Sequence, residues 1–380
     1  MTSVYDVAII GAGAMGSAAA YHLSKTKKST LVLDQFSPPH NLGSSHGETR
    51  IIREAYFESP MYVPLVQKAY ELWHQLEQES GERLFLKTGG LMLGDKDSKV
   101  FSGAELSAER YQIWYEELDG KAISKRFPAF KPAQATVAVY EKNAGLLYPE
   151  ACVRAHLTLA QKTNADLHFN EEVTTITTRN GLIEIRTDKE IYLAEKIIVS
   201  AGAWVTKLFP ELHLPLKVAR QVLMWFDFES SRPENFLPEK MPVYIWEYAP
   251  NKIFYGFPAL ENKLKVAIHH GGAITDPDTI DRAVHDDEIK QLIDIISQFL
   301  DAQVKFSHAA VCMYTNTPSE DFIIDHHPQN KNIIIASPCS GHGFKFSSAI
   351  GKLLCDMVCE RRLDFDISLF SIERQMTVER

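Results

Sequence analysis

The chain has 380 residues, a formal net charge of -9 and a pI near 5.9, with 45% hydrophobic and 23% charged residues. This length allows two domains with a sizeable core, and the acidic balance argues against a general nucleic-acid binder. No segment approaches the roughly 20 continuous apolar residues that a membrane span needs. We therefore expect a soluble globular protein with no nucleic-acid or membrane partner.

The chain starts directly in an apolar segment, without a basic leader and cleavage site, so export is not expected. Its five cysteines form an odd number and lack the paired spacing of a structural metal site. Reduced thiols are typical of the cytoplasm, and we predict that location.

The first predicted element is an apolar strand, Tyr5 to Ile10, which leads into the glycine turn G-A-G-A-M-G at 11–16. An alanine-rich helix to about Ser24 and a second strand, 29–34, follow the turn. This order of strand, turn, helix and strand is the context in which a G-x-G-x-x-G motif indicates a dinucleotide site.

A glycine is needed at each of these three positions for a different physical reason. Gly11 permits the tight turn, Gly13 lets the backbone approach a pyrophosphate, and Gly16 lets the helix pack closely on the strand. Asp34, 18 residues after Gly16, is placed to accept hydrogen bonds from the adenosine ribose and would repel a 2′-phosphate. The unit disfavours NADP and leaves FAD and NAD open.

The later elements include an apolar strand at 197–199 that runs into small residues, which suits a second close approach to the nucleotide. Residues 216–309 are interpreted as an inserted substrate domain. The other predicted elements, in chain order, are helix 61–80, strands 173–176, 182–186, 218–228 and 252–257, helix 286–300, strand 332–336 and helix 346–360.

Two arginines three residues apart, Arg50 and Arg53, follow a polar loop at 43–49. The arginine fork matches a carboxylate, so one of the pair is a candidate anchor for an amino-acid substrate. A surface ion pair with Glu48 or Glu54 is the alternative.

The segment S-G-H-G-F-K at 340–345 lies between a strand and the last long helix. Its free N–H groups and the helix dipole would stabilise negative charge on a reduced flavin, which a nicotinamide does not need. This favours FAD, assigns Gly341 to cofactor binding and makes Lys345 a candidate second ligand of a carboxylate.

Two histidine pairs, 269–270 and 326–327, invite a metal interpretation. Adjacent residues on a strand point to opposite faces, and no third ligand stands at a supporting spacing, so we expect no metal. A nucleophile elbow and a G-K-[ST] loop are also missing from the sequence, which disfavours a hydrolase or an ATPase.

These features occur together in a known family. The chain resembles the monomeric sarcosine oxidase and N-methyltryptophan oxidase group of flavoprotein amine oxidases over nearly its whole length. The motifs that carry the resemblance are G-A-G-A-M-G at 11–16, P-P-H at 38–40, H-G-E-T-R-I-I-R at 46–53, Y-G-F-P at 255–258, V-C-M-Y-T at 311–315, D-F-I-I-D at 321–325 and S-G-H-G-F-K-F at 340–346.

The resemblance implies an α/β (α+β) fold. An FAD-binding, Rossmann-like domain of the glutathione-reductase type would carry an inserted substrate domain of antiparallel sheet, in a monomeric protein. Residues 1–80, 145–215 and 310–380 would form the FAD domain, and residues 81–144 and 216–309 the substrate domain.

The resemblance also implies a covalent FAD, joined as an 8α-S-cysteinyl thioether to Cys312 in V-C-M-Y-T. Cys339 is the alternative, because it stands directly before S-G-H-G, where the relatives have an apolar residue. Val173, at the start of a predicted strand, completes the cofactor-binding set.

Carried over by motif position, Arg53 and Lys345 would bind the substrate carboxylate, while Arg50 and His46 would lie close to the flavin. Lys265 matches the lysine that activates oxygen in the family, where a cation lowers the cost of forming superoxide. The remaining matches to active-site positions are His269, Tyr255 and Tyr314.

The implied reaction is oxidation of an N-methyl or other secondary amino acid, with oxygen as acceptor and hydrogen peroxide as a product. A sarcosine-like substrate would give formaldehyde and the demethylated amino acid, and N-methyltryptophan, pipecolate and proline remain open. Two stretches depart from the family: Ser45 replaces an expected histidine, and Ile245 and Trp246 stand where sarcosine oxidases have smaller residues.

Three alternatives remain at this point. A dehydrogenase of similar fold would use a quinone or a carrier protein, although Lys265 favours an oxidase. A nucleotide-binding subunit of a larger complex would show a docking segment, which the sequence lacks. Modification of an RNA base or a thiazole precursor is disfavoured by the acidic composition and by the arginine and lysine anchors.

Overall fold

The computed structural model describes residues 4–378 as a mixed α/β protein built around two large sheets and one small one. The strands are β1 Val4–Ile10, β2 Thr30–Asp34, β3 Arg50–Ile52, β4 Phe85–Lys87, β5 Gly90–Gly94, β6 Glu116–Asp119, β7 Val137–Glu141, β8 Gly145–Leu147, β9 Asp166–Phe169, β10 Val173–Arg179, β11 Leu182–Thr187, β12 Ile191–Val199, β13 Lys217–Glu229, β14 Val243–Ala249, β15 Lys252–Gly256, β16 Lys263–His269, β17 Gln303–Asn316, β18 Ile323–His327 and β19 Asn330–Ser337.

Helices connect and cover the sheets. The α-helices are α1 Ala14–Ser24, α2 Val63–Ser80, α3 Lys99–Arg110, α4 Gly120–Arg126, α5 Pro149–Lys162, α6 Val205–Leu208, α7 Asp286–Phe299, α8 Ser347–Val358 and α9 Ile372–Thr377. Short 3₁₀ helices lie at Pro60–Tyr62, Gly202–Trp204, Pro210–Leu212, Pro233–Phe236, Phe344–Phe346 and Ser368–Phe370.

The first large sheet has a parallel centre in the order β9-β2-β1-β12-β19, extended by the antiparallel strands β10, β11 and β18. Its central strands contain continuous apolar runs, at 7–10, 31–33 and 197–199, that are buried as a parallel sheet covered on both faces requires. Helices α1 and α8 pack closely because small residues meet: a Cβ at Gly351 would lie 2.5 Å from Ala18. This sheet positions the glycine turn between β1 and α1.

The second large sheet has the order β17-β13-β16-β15-β14-β5-β7-β6 and is antiparallel except at β14 and β5. Its core is aromatic on one face, where Trp246, Phe254 and Phe299 are in ring contact. Each fully buried apolar side chain of this kind stabilises the fold by about 1.5–3 kcal/mol. The small third sheet, β3-β8-β4, carries Arg50 on its edge strand.

The predicted α/β fold class is confirmed, and every predicted helix and strand that was named has a counterpart of the same type. The boundaries differ by a few residues. The predicted helix 61–80 begins at Val63 after a 3₁₀ turn capped by Ser59, and the predicted helix 346–360 spans Ser347–Val358. The predicted domain division stays a prediction, and β17 runs across its boundary at residue 310.

Among the described residues, no helix is both long and apolar enough to cross a bilayer.

Candidate functional site

In the glycine turn between β1 and α1, neighbouring backbone atoms leave no space for a side chain at two of the three glycines. Gly11 has a φ of +91°, and a Cβ there would lie 2.5 Å from the Ser200 carbonyl oxygen. A Cβ at Gly16 would lie 1.7 Å from the Gly11 oxygen. Gly13 is different, because the nearest atom to its Cβ position is Ser45 Oγ at an ordinary 3.6 Å. The space at Gly13 therefore suits a ligand that approaches the backbone closely.

A continuous cleft of about 430 Å³ runs from the glycine turn to the last long helix. Of the fifteen predicted site residues, twelve line it: Gly11, Gly13, Asp34, Arg50, Arg53, Val173, Tyr255, His269, Cys312, Tyr314, Gly341 and Lys345. Gly16, His46 and Lys265 do not line the cleft and lie behind its wall. One elongated space thus reaches both the nucleotide motif and the predicted carboxylate anchors.

Asp34 holds the turn together as well as facing the cleft. Its Oδ2 accepts a hydrogen bond from Ala12 N at 2.7 Å, and its Oδ1 accepts one from Phe36 N at 2.8 Å. Burial raises the pKa of Asp34, against the effect of these hydrogen bonds. Each oxygen keeps a second lone pair, so ribose hydroxyls can still donate to it.

Other backbone segments complete the cofactor end of the cleft. The predicted second approach at the end of β12 is present, since residues 200–204 line the cleft. Val173 lines it at the start of β10, together with its neighbours 171, 172 and 174. Gly341 has a φ of +78°, and a Cβ there would lie 2.5 Å from the Tyr314 ring. These backbones fit an elongated dinucleotide.

Arg53 is a buried cation, with 1% of its surface exposed. Its guanidinium lies between the rings of Tyr56 and Phe57, at 4.3 and 4.4 Å from their centroids. Nη1 donates to the Ala55 oxygen at 2.9 Å, and Nη2 donates to Glu58 Oε2 at 2.6 Å. Within residues 4–378, Nε has no hydrogen-bond partner. The guanidinium therefore keeps an unused donor.

The alternative of a surface ion pair between Arg53 and Glu48 or Glu54 is wrong. Arg53 is buried, and its partner is Glu58, which also lines the cleft. Glu48 instead accepts a hydrogen bond from Trp225 Nε1 at 2.7 Å. No sequence signal singles out Glu58, because the chain between it and Arg53 is irregular.

Glu58 is ionised despite its burial. Burial opposes the charge, but Arg53, His342 and Lys345 outweigh it and lower the pKa of Glu58 to about 2. The pKa of Lys345 is lowered to about 7, by burial first and by Arg53 second. Lys345 Nζ donates to the His342 oxygen at 2.7 Å and to the Tyr56 hydroxyl at 3.4 Å. Two cations and one anion therefore share this end of the cleft.

Three uncharged groups face these ions. Burial, followed by the cations around it, lowers the pKa of His269 well below its ordinary value, so the imidazole is neutral. Burial also raises the pKa values of Tyr255 and Tyr314. His269 Nδ1 lies 3.4 Å from the Tyr314 hydroxyl, and the rings of His269 and Tyr255 are 6.1 Å apart.

The expectation that His269 and His270 point to opposite faces is wrong. Their ring centroids are 4.1 Å apart, because His270 follows the end of β16 and has a φ of +64°. The two rings pack on Tyr314, and His270 Nε2 lies 3.7 Å from Glu320 Oε1. Within residues 4–378, no group of three or more His, Cys, Asp or Glu side chains is arranged to hold a metal ion.

Cys312 and Cys339 both line the cleft but have different neighbours. Arg50 Nη2 lies 3.8 Å from the sulfur of Cys312, and this sulfur lies 3.6 Å from the Ser44 oxygen. Ser337 Oγ lies 3.7 Å from the sulfur of Cys339. Burial raises the pKa of the Cys339 thiol to about 11. A guanidinium neighbour is thus found at Cys312.

Lys265 lies behind the cleft wall and is 3% exposed. Its Nζ donates to the oxygens of Gly47 and Thr49 and to Thr49 Oγ1, the last two at 2.9 and 3.0 Å. Burial, and then Arg50, lowers its pKa well below the ordinary value. Three acceptors nevertheless match the three protons of an ammonium group.

His46 is also buried behind the cleft. Burial, followed by Arg50, lowers its pKa to about 4, so its imidazole is neutral near pH 7. Its Nε2 has no hydrogen-bond partner within residues 4–378.

Ile245 and Trp246, which both depart from the family, lie on opposite sides of β14. Ile245 lines the cleft. Trp246 is 2% exposed in the aromatic core, stacked on Phe254 with centroids 5.9 Å apart. Alternation along a strand explains the difference, which leaves Ile245 to shape the cleft.

The fold and cleft define a flavin-dependent oxidoreductase. Residues 6–357 match the family described as "FAD dependent oxidoreductase", and because this is more than half of the chain, the chain belongs to that family. FAD, rather than NAD, is therefore its nucleotide.

The particular relatives confirm the predicted resemblance. The chain is 40% identical to the monomeric sarcosine oxidase of Streptomyces avermitilis, over 98% of both chains. It is 34% identical to the N-methyl-L-tryptophan oxidase of Yersinia pestis, over 97% of this chain and 99% of that one. The chain is thus similar from end to end to enzymes of the predicted group.

Solved structures show the same fold. NikD, described as an unusual amino acid oxidase essential for nikkomycin biosynthesis, matches with a TM-score of 0.84 and 21% identity over 97% of this chain and 98% of its own. Glycine oxidase of Geobacillus kaustophilus matches with a TM-score of 0.82 and 18% identity over 98% of this chain and 99% of its own.

Proposed function

We propose that the protein oxidises a small secondary amino acid, of the N-methyl, sarcosine-like type, with FAD as cofactor and oxygen as acceptor. The observation that carries this proposal is the buried pair Arg53 and Lys345 in the same cleft as the glycine turn. Its relatives are named for sarcosine and N-methyl-L-tryptophan, and the identity to the former is the higher.

The ions of the cleft suit a substrate with one carboxylate. Arg53 and protonated Lys345 contribute two positive charges, and Glu58 contributes one negative charge. One carboxylate neutralises the remaining charge. The Arg53 guanidinium and the Lys345 ammonium are donors for it, whereas a second carboxylate would meet Glu58.

The neutral groups suit an uncharged amine. When bound, FAD supplies the acceptor for the hydride equivalent that the substrate carbon loses. His269 stays neutral, so it does not repel positive charge that develops on the substrate nitrogen. Clamping the carboxylate at a distance from this nitrogen orients the substrate, and such orientation is worth on the order of 7 kcal/mol or more of barrier.

Lys265 is proposed as the cation that assists oxygen reduction. Its ammonium is held by three acceptors on one turn, so its charge stays at one position. A fixed cation stabilises an anionic oxygen species without reorganisation. Arg50, which lines the cleft beside Cys312, adds a second positive charge next to the cofactor end.

Cys312 is proposed as the site of a covalent 8α-S-cysteinyl FAD. Its support is its place in the cleft wall and the Arg50 guanidinium, whose Nη2 lies 3.8 Å from the sulfur. Cys339 lacks such a neighbour in the described structure, and the pKa of its thiol is raised.

A monomeric, cytoplasmic enzyme is proposed as well. The description "monomeric" in the names of the relatives supports the first property. The second is supported by the five cysteines, all free thiols in the described structure.

The oxidase proposal is tested by peroxide formation. Purified holoenzyme is given sarcosine, N-methyl-L-tryptophan, pipecolate and proline, and hydrogen peroxide is measured against anaerobic bleaching of the flavin. We expect stoichiometric peroxide with at least one of these substrates. Bleaching without peroxide would show the dehydrogenase alternative, and no bleaching with any of them would reject the substrate class.

The covalent link is tested by acid precipitation. Yellow colour is expected in the protein pellet of the wild type and of Cys339→Ser, and in the supernatant of Cys312→Ser. Colour that leaves the pellet in Cys339→Ser alone would move the link to that residue.

A further inference from the structure

Two stretches of chain that are distant in sequence run side by side at the cleft. The arginine segment, residues 47–55, contains β3, and the support segment, residues 141–150, contains β8, which pairs with β3. A glutamate stands at each end of the support segment. Glu141 ends β7, and Glu150 lies in the first turn of α5.

Glu150 holds the turn at the start of the arginine segment. Its Oε1 accepts hydrogen bonds from Gly47 N at 2.6 Å and from Glu48 N at 3.1 Å. These two residues have φ values of +99° and +67°, and the second is strained for a residue with a side chain. Two successive N–H groups that meet one carboxylate form an anion nest. Glu150 thus stabilises a backbone shape that the chain does not favour by itself.

Lys265 holds the same turn from its other side. Its three acceptors are the oxygens of Gly47 and Thr49 and the Thr49 hydroxyl. A carboxylate therefore binds the N–H of Gly47, while the ammonium binds the carbonyl of that same residue. The position of the ammonium depends on a turn that Glu150 shapes.

Glu141 makes the same kind of contact at the other end of the arginine segment. The residue is 1% exposed, and its carboxylate accepts from Glu54 N at 2.9 and 3.0 Å and from Ala55 N at 2.8 Å. The Ala55 carbonyl in turn accepts from Arg53 Nη1 at 2.9 Å. Again a carboxylate binds the N–H of a residue whose carbonyl holds a cation of the site.

We propose that Glu150 and Glu141 are positioning residues with separate tasks: Glu150 aligns the Lys265 ammonium for oxygen reduction, and Glu141 aligns the Arg53 guanidinium for substrate binding. The inference rests on the roles proposed above for these two cations. Glu150 acts through Gly47, and Glu141 acts through Ala55. The pairing of β3 with β8 lies between these two contacts.

Separate tasks predict separate kinetic defects. Glu150→Gln keeps one acceptor oxygen but removes the charge, and we expect it to slow reoxidation of the reduced flavin by oxygen on the order of tenfold, since small misplacements have effects of this size. Anaerobic reduction by substrate should change less than about twofold in this variant. Glu141→Gln should raise KM for the amino acid on the order of tenfold and leave reoxidation nearly unchanged. Stopped-flow measurement of both half-reactions separates the two effects.

Glu77 provides a matched control. Its Oε1 accepts from two successive backbone N–H groups, Leu84 N and Phe85 N, both at 2.9 Å. These contacts support β4 of the same small sheet and lead to no cation of the site. Glu77→Gln should therefore lower stability without a selective change in either half-reaction.

A second measurement is independent of activity. Hydrogen exchange of the oxidised holoenzyme, followed by mass spectrometry, should be faster at residues 47–49 in Glu150→Gln alone and faster at residues 54–55 in Glu141→Gln alone. Aspartate variants at the two positions, which keep the charge but are one methylene shorter, serve if a glutamine variant does not fold, and the same pattern is expected from them.

Reference variants separate failure of this inference from failure of the proposed function. Normal reoxidation in Lys265→Met would reject the proposed oxygen role, and the exchange pattern would still test the support by Glu150. Slow reoxidation in Lys265→Met together with equal effects of Glu150→Gln and Glu141→Gln on both half-reactions would overturn the inference. Unchanged exchange and kinetics in both glutamine variants would overturn it as well.

Discussion

The two ends of the cleft are built in different ways. At the cofactor end, Gly11, Gly13 and Asp34 come from one short stretch of chain, and the turn is held by the close packing of Gly11 and by backbone N–H groups that donate to the Asp34 carboxylate. At the substrate end, the side chains come from segments far apart in sequence, and burial and neighbouring charges tune their ionisation. The nucleotide motif is therefore local, although segments from elsewhere in the chain complete the cofactor end, whereas the substrate end depends on the whole fold.

The largest effect is expected at the substrate end, from Arg53→Gln. Losing one partner of a buried, hydrogen-bonded charge pair costs about 2–5 kcal/mol, so kcat/KM should fall about 30-fold or more. Arg126→Gln is the control, since Arg126 also stacks on aromatic rings and pairs with Glu116 but is exposed. An equal loss in both variants, measured by steady-state kinetics, would contradict the role of Arg53.

The next largest effect is expected at the cofactor end, from Gly13→Ala. The protein has room for this methyl group, so the fold should persist while bound flavin falls several-fold, because the methyl occupies the space in which a pyrophosphate approaches the backbone. Flavin absorbance per protein and circular dichroism measure the two quantities. Gly181→Ala, at an open turn where φ is +78°, controls for the general effect of losing a glycine. Full flavin content in Gly13→Ala would contradict the placement of the cofactor.

The titration of Lys345 is a further test of the claim that neighbouring charges and burial set the ionisation at the substrate end. Its pKa is lowered to about 7, and only the ammonium attracts a carboxylate. Binding of acetate, which has no amine, should therefore be strong below pH 7 and weaken about tenfold between pH 6 and pH 8. Glu58 is ionised and His269 neutral throughout this window.

The control for this titration is Lys345→Met, in which the pH dependence of the acetate Kd should disappear. Burial raises the pKa of Glu141 to about 7 as well, so this carboxylate titrates in the same window. A dependence that persists in Lys345→Met would assign it to Glu141.

The smallest effect on chemistry is expected from the neighbours on β14. Ile245→Ala should change the ratio of kcat/KM values between sarcosine and N-methyl-L-tryptophan by about 10-fold, the low end of what one methylene group in a pocket is worth. Trp246→Ala should leave this ratio unchanged and destabilise the fold by about 3–5 kcal/mol, measured by thermal unfolding. A changed ratio in the second variant would mean that the aromatic core also shapes the cleft.

The difference between the two ends of the cleft also explains which of their residues could be predicted from the sequence. The strand, turn and helix at residues 4–24 could be predicted because apolar periodicity and glycine positions are local signals. Lys265 was assigned through the family resemblance alone, because by pattern it is an ordinary strand residue. Glu141 and Glu150 were missed, since a carboxylate that contacts a backbone N–H far away in sequence leaves no local signal. Glu58 was missed because the chain between it and its partner Arg53 is irregular.

The sequence by itself determined the fold class, the dinucleotide turn and the membership of an FAD-dependent oxidoreductase family, because these depend on short-range patterns and on ordered motifs along the chain. The tertiary structure alone decided that Arg53 is buried and paired with Glu58, that Trp246 faces the core and that Ile245 faces the cleft. The physical reason is that burial and electrostatic neighbours are properties of packed elements, and the ionisation of Glu58 and Lys345 follows from both.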